Sequence, residues 1–154
     1  MQELLKDYLQ DLISQERHML GNVFWLFNCS ALHRRYSVEI MLQYILPALK
    51  LKQYLYYEQF NKPVAFCNWA FVSDEVLQLS MNGNYRLGPN QWSSGDNLFF
   101  PEFIAPFGHC RKMVKHLKKL FKGKSANGLH VKLVDGERLV HQSTYHAKNF
   151  INEN

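Results

Sequence analysis

Residues 53–72, "QYLYYEQFNKPVAFCNWAFV", decide the fold class. The segments "QYLYYEQF" (53–60) and "VAFCNWAFV" (64–72) are crowded with aromatic and β-branched residues, which suit the pleated, half-buried surface of a strand. Asn61, Lys62 and Pro63 between them are turn chemistry, so the stretch predicts a strand pair. Upstream, Val38, Met41, Leu42, Ile45 and Leu46 share one helix face. That helix should begin near 33–37, carry those side chains inward and stop close to Pro47. Leu4, Leu5, Tyr8, Leu9, Leu12 and Ile13 predict a first helix over about 2–17, with Gly21 breaking the period.

Downstream, Ser73 is a good cap for a short helix, "DEVLQLSMN" (74–82). "NGNYRLGPNQWSSGDN" (82–97) reads as a long loop, and long loops inside compact domains are often functional. "LFFPEFIAPF" (98–107) is a strand candidate interrupted by Pro101, which suits an edge or a bulge. "HCRKMVKHLKKLF" (109–121) is amphipathic. Met113, Val114, Leu117, Leu120 and Phe121 lie on one face, and Arg111, Lys112, Lys115, Lys118 and Lys119 on the other. "GLHVKLV" and "ERLVHQSTY", joined by Asp135-Gly136, predict a hairpin. Helices alternating with strands imply an α/β class with a single mixed sheet flanked by helices.

The 154 residues are 47% apolar and 14% aromatic, enough for one domain with a real core. Uncharged apolar runs are too short for a membrane span, and residues 1–20 lack the apolar segment of a secretory signal. Three cysteines, an odd number without CxxC spacing, argue against a disulfide framework or a zinc site. A reducing cytoplasm follows. A net charge of +5 and a pI of 9.1 favour an acidic partner without choosing which.

"NCSALHRRY" (28–36) holds two possible nucleophiles, Cys29 and Ser30, within four residues of His33. In a helical turn both would share a face with the imidazole. The plainer reading makes Ser30 a helix cap and Cys29 a small core residue. Asp96, in "WSSGD", is either turn chemistry or the carboxylate that fixes a catalytic imidazole. His18, His116, His130, His141 and His146 lack a nearby chemical partner or a metal-binding spacing.

The strings "GNVFWLFNCSALHRRYSVEIMLQYILPALKLKQYLYY", "KPVAFCNWAFVS", "WSSGD" and "FIAPFGH", in that order from about Gly21 to Phe121, resemble the bacterial lysine acyltransferases that activate RTX (repeats-in-toxin) protoxins. The resemblance implies a single domain over 21–154 similar to the GNAT acetyltransferases, with residues 1–20 as an amphipathic helical extension. It implies transfer of a fatty acyl group from acyl carrier protein to internal lysines of a protoxin, with no tightly bound cofactor and no metal. It places the essential histidine on His33, the essential aspartate on Asp96 and an orienting or oxyanion-stabilising serine on Ser30. Gly108, in a turn too sparse in glycine for a full pyrophosphate, would take the phosphate of the donor. Lys115, Lys118 and Lys119 would face the acidic carrier. Homodimers occur among such proteins, and neither nucleic acid nor a membrane span is expected.

Two rivals remain open on the sequence. The basic helix could belong to a nucleic-acid- or acidic-protein-binding module without catalysis, although its aromatics are not interleaved with charge as stacking platforms would be. Cys29 and His33 could be the pair of a cysteine hydrolase.

Overall fold

A computed structural model describes residues 2–146. The N-terminal apolar stripe forms two helices, α1 (Gln2–Gln10) and α2 (Ser14–Cys29), in place of the one expected. Glu16 accepts the Ile13 N–H and the Arg17 guanidinium donates to the Leu12 carbonyl, so side chains take over where the helical ladder stops at residues 11–13. Leu5 and Leu12 are buried with Leu46 of the third helix, while Leu9 and Ile13 stay exposed, so the chain itself covers the stripe only in part. Gly21 does not break α2, because Val23, Leu26 and Phe27 recur at helical spacing and are fully buried. Packing of that face outweighs the ~1 kcal/mol that glycine costs inside a helix.

Helix α3 (Val38–Leu51) is capped by the Ser37 hydroxyl, which accepts the Ile40 N–H. It runs through Pro47 rather than stopping there. Ile45, Leu46, Ala48 and Leu49 are all fully buried, and their burial offsets the roughly 3 kcal/mol of an interior proline. Val38, expected inside, is 60% exposed because it opens the first turn on the solvent side.

Strands β1 (Tyr54–Gln59) and β2 (Lys62–Asn68) pair antiparallel around Phe60 and Asn61, both at positive φ. The turn is one step earlier than "NKP", and Lys62 and Pro63 belong to β2. "VAFCNWAFV" is two strands, because the Trp69 N–H turns aside to the Gln53 carbonyl and β3 (Ala70–Val72) joins a different sheet. Helix α4 (Asp74–Met81) is capped by Ser73, as its sequence predicts. "LFFPEFIAPF" divides in the same way as β2 and β3, into β4 (Asn97–Phe100) and β5 (Phe103–Ile104) on either side of Pro101. Helix α5 (Cys110–Leu120) buries Met113 and Leu117, while Val114 and Leu120 stay largely exposed. The Asp135-Gly136 hairpin forms as expected from β6 (Ala126–Val134) and β7 (Glu137–Tyr145).

The architecture is α/β, and the expected single sheet is parted in two. One sheet has the order β1-β2-β5; the other, β3-β4-β6-β7, is mixed, with β4 and β6 parallel. The chain crosses from one to the other at Trp69 and back at Pro101-Glu102. Among the described residues no helix is long and apolar enough to cross a membrane.

Candidate active site

His33 sits in a one-turn 3-10 helix (His33–Arg35) between α2 and α3, 6% exposed. The Ser30 N–H bonds to the Phe27 carbonyl, and the Arg34 N–H reaches back to the Ser30 carbonyl, so a tight junction brings residues 30 and 33 together. Phe27 and Tyr36 hold the imidazole from two sides, at ring-centroid distances of 5.2 and 5.5 Å. Ser30 Oγ lies 2.6 Å from His33 Nδ1, and Glu102 Oε2 lies 2.7 Å from His33 Nε2.

With the imidazole neutral and Glu102 ionised, those contacts leave one proton inventory. An ionised carboxylate only accepts, so Nε2 carries the proton it gives to Glu102. Nδ1 then keeps its lone pair, and the Ser30 hydroxyl donates to it. Burial strengthens both bonds, because Glu102 is only 5% exposed and water competes little. When Nδ1 gains a second proton, the imidazolium faces a carboxylate at 2.7 Å. This is the electrostatic arrangement of a base that must become a cation in mid-reaction.

Glu102 is itself fixed. Fully buried Asn68, at the end of β2, accepts the Glu102 N–H through Oδ1 at 2.9 Å and donates its own N–H to the Glu102 carbonyl at 3.1 Å. Its Nδ2 donates to the Tyr44 carbonyl at 2.9 Å, tying the crossing to α3. Tyr36 and Tyr44 line the cleft beside the histidine. Burial first, and the Glu102 charge second, raise both phenols, Tyr44 to about 12, so their hydroxyls stay protonated at neutral pH.

The site opens into a cleft of about 730 Å³ between the two sheets. Leu98, Phe100, Ile104, Leu117 and Phe121 make much of its wall, and Ser30, His33 and Glu102 lie at the same surface. At the far end Phe121 meets Trp69, Phe71 and Phe100 edge-on, at 5.1 to 6.2 Å.

The expected residues fall unevenly around this centre. Ser30 and His33 are together. Asp96 is exposed at the end of the long loop and does not meet the imidazole, both of whose nitrogens are engaged. The carboxylate on His33 is Glu102. Gly95 before Asp96 is demanded by packing, since a Cβ there would lie 2.6 Å from the backbone of Ser73 and Val72. Cys29 makes no pair with His33, and the Cys67 thiol is pushed up to about 12 by burial, so neither fits a thiolate nucleophile. Gly108 holds a left-handed turn (φ +87°) just before α5, whose first N–H groups receive no side-chain cap. Lys115, Lys118 and Lys119 are exposed on α5; Lys118 also lines the cleft, its Nζ 4.7 Å from the Tyr145 ring centre. Among the described residues no group of three His, Cys, Asp or Glu is placed to hold a metal.

Sequence reasoning missed Glu102 and Asn68. A signal for the first existed: "LFFPEFIAPF" holds a lone carboxylate in an apolar decapeptide, and a carboxylate buried in a strand needs a cationic or hydrogen-bonding partner.

Comparison with known proteins gives a family match. Residues 13–145 match the model of the RTX toxin acyltransferase family. The chain is 45% identical over 108 residues to the lysine-acyltransferase RtxC of Vibrio cholerae, covering 70% of this chain and 71% of that one. It is 37% identical over 109 residues to the protein-lysine myristoyltransferase HlyC of Escherichia coli, covering 71% and 63%. It is 33% identical over 103 residues to the leukotoxin-activating lysine-acyltransferase LktC of a Pasteurella haemolytica-like strain, covering 67% and 62%. The matched part thus spans a little under two thirds of the latter two proteins.

Proposed function

The chain belongs to the RTX toxin acyltransferase family, and on that premise we propose that it moves a fatty acyl group from the thioester of acyl carrier protein to internal lysines of an RTX protoxin. The observation that carries the reading is the Ser30–His33–Glu102 chain at the surface of an apolar cleft. Action in the cytoplasm, likeness to the GNAT acyltransferases and pairing into homodimers belong to the same reading.

A lysine amine with a pKa near 10.4 is uncharged in only about one copy in 2,500 at pH 7. The acceptor ammonium must therefore first give one proton to water; the second proton, which the nitrogen sheds as it attacks, goes to His33 Nδ1, with the Ser30 hydroxyl as relay. The amine N–H passes to Oγ as the Oγ proton passes to Nδ1. The nitrogen bonds to the thioester carbon, and Glu102 steadies the imidazolium. The protonated hydroxyls of Tyr36 and Tyr44 donate to the oxyanion. Collapse breaks the C–S bond, and the imidazolium returns its proton to the departing thiolate. A thioester is already activated, so direct attack needs no acyl-serine.

The donor lies along α5. Uncapped amides after Gly108 suit the phosphate of its arm, Lys115, Lys118 and Lys119 suit the acidic carrier, and the apolar walls take the acyl chain. Each methylene buried there contributes about 0.8 kcal/mol, which makes chain length readable. Asp96 is exposed one residue ahead of β4 and is not among the residues lining the cleft; its part in this reading is to attract the acceptor's cationic lysine from a distance and not to touch the imidazole.

Mass spectrometry of a protoxin co-expressed with this protein should show an acyl mass on lysine, lost with His33→Ala. In vitro the variant should fall by the 10²–10⁴-fold typical of a missing general base. Near-normal acylation by a folded His33→Ala protein would sink the mechanism, and so would an acyl-Ser30 adduct that turns over at the catalytic rate.

A further inference from the structure

A second pocket, of about 380 Å³, carries Arg35, Arg86 and Arg138 and no carboxylate among its lining residues. Arg35 donates to the Gly136 carbonyl at 3.0 Å and Arg138 to the Gly83 carbonyl at 3.3 Å. These bonds steer two guanidinium groups and leave most of their donors free. Among the described residues none of the three arginines forms an ion pair. All three arginines are exposed, so their guanidinium donors are open to an anion arriving from solvent.

This pocket is continuous with the reaction cleft. Leu32, Tyr36, Tyr44, Gly83, Tyr85 and Arg138 line both. Tyr36 separates the arginines from the base by one ring, its centroid 5.5 Å from that of His33. The positive field of Arg86 and Arg138 reaches the hydroxyls of Tyr36 and Tyr44 and opposes the effect of Glu102 there.

The geometry points to an acceptor-side anion pocket: we propose that Arg35, Arg86 and Arg138 receive the carboxylate side chains of acidic residues flanking the acceptor lysine. The inference rests on the lysine acyl transfer proposed above. A lysine whose amine reaches His33 along its four-carbon stem leaves its peptide backbone close to Tyr36 and the arginines beyond it. Neighbouring Asp or Glu side chains then fall within reach of the guanidinium groups. The phosphate of the donor is a poorer fit, because a whole pantetheine arm separates it from the thioester, whereas the pocket begins one ring from the base. No residue of α5, the donor-facing helix, lines it.

Two sets of fluorescent peptides, each with one lysine, separate the possibilities: one set with Asp or Glu flanks, the other with Asn or Gln at the same places. Anisotropy titrations without any donor should show the acidic set binding about tenfold more tightly at low salt, with the gap narrowing as salt rises. Arg86→Gln with Arg138→Gln should erase that ratio. Melting curves confirm that the variant is folded. Equal binding of both sets to the unmodified protein would overturn the pocket, as would a ratio that survives in the variant. It is also overturned if the variant keeps its preference between peptides but binds the carrier protein less well. The ratio is read without acyl transfer, so failure to acylate any lysine peptide would count against the reaction and not against the pocket.

Discussion

The buried polar node and the charged exterior of this protein use ionisable groups in opposite ways. At the node, His33, Glu102 and Asn68 are each at most 6% exposed, and each has a defined partner at hydrogen-bond distance. On α5, Lys115, Lys118 and Lys119 stand in solvent, and no carboxylate among the described residues pairs with them. A buried group without its partner loses the full cost of its desolvation, whereas an exposed charge is screened and replaceable. A single change at the node should therefore outweigh several outside.

The sharpest way to break that comparison is to set two carboxylates against each other. Glu102→Gln keeps the shape but loses the charge that steadies imidazolium, so kcat should fall about 10²–10⁴-fold. Asp96→Asn should act chiefly on KM for the acceptor, with a loss in kcat/KM of at most about fivefold, since one exposed charge is worth about 0–1 kcal/mol. The double variant of Asp96 with His33 should then be close to additive, while that of Glu102 with His33 should not, because the latter two share one task. A larger kcat loss with Asp96→Asn than with Glu102→Gln would reverse the assignment.

Next comes Asn68→Ala. It removes both side-chain bonds that hold the crossing, leaving the Glu102 N–H and the Tyr44 carbonyl short of a partner. The protein should lose about 1–3 kcal/mol of stability, measurable by urea unfolding. Its kcat should fall with no change in KM for the carrier, and Asn68→Asp should restore little, since a carboxylate cannot donate to Tyr44. Full activity in a destabilised Asn68→Ala protein would make the residue structural only.

The smallest effect belongs to the exterior. Reversing Lys115, Lys118 and Lys119 to Glu should raise KM for acyl carrier protein by about tenfold at low salt and leave the fold intact. At physiological ionic strength, where screening acts over about 8 Å, the difference should shrink. Unchanged kinetics would remove α5 as the docking face.

The same contrast explains what was legible in the sequence. Periodic and local features could be read: the basic face of α5, the Ser73 cap, the Asp135-Gly136 hairpin and the closeness of Ser30 to His33. Contacts made across the fold could not. Glu102 is 69 residues from His33, and Asn68 is 34 from Glu102. Nothing in the spacing of "WSSGD" separates a loop aspartate from the imidazole's true partner. The parting of the sheet was hidden for a related reason. "VAFCNWAFV" has strand composition throughout, and only the Trp69 N–H turning to the Gln53 carbonyl divides it.

Two edges that part inside one protein are usually prone to zip together, because each offers unpaired backbone groups. At the crossing between β4 and β5 that tendency is removed at source. Pro101 has no N–H to offer, and both backbone groups of Glu102 are already taken by Asn68. The resting protein consequently has no ladder to unfasten before a guest enters. Its cleft stands ready, so under the proposed reaction donor entry should be set by encounter rather than by a slow opening step, and an acyl chain would meet walls spaced in advance.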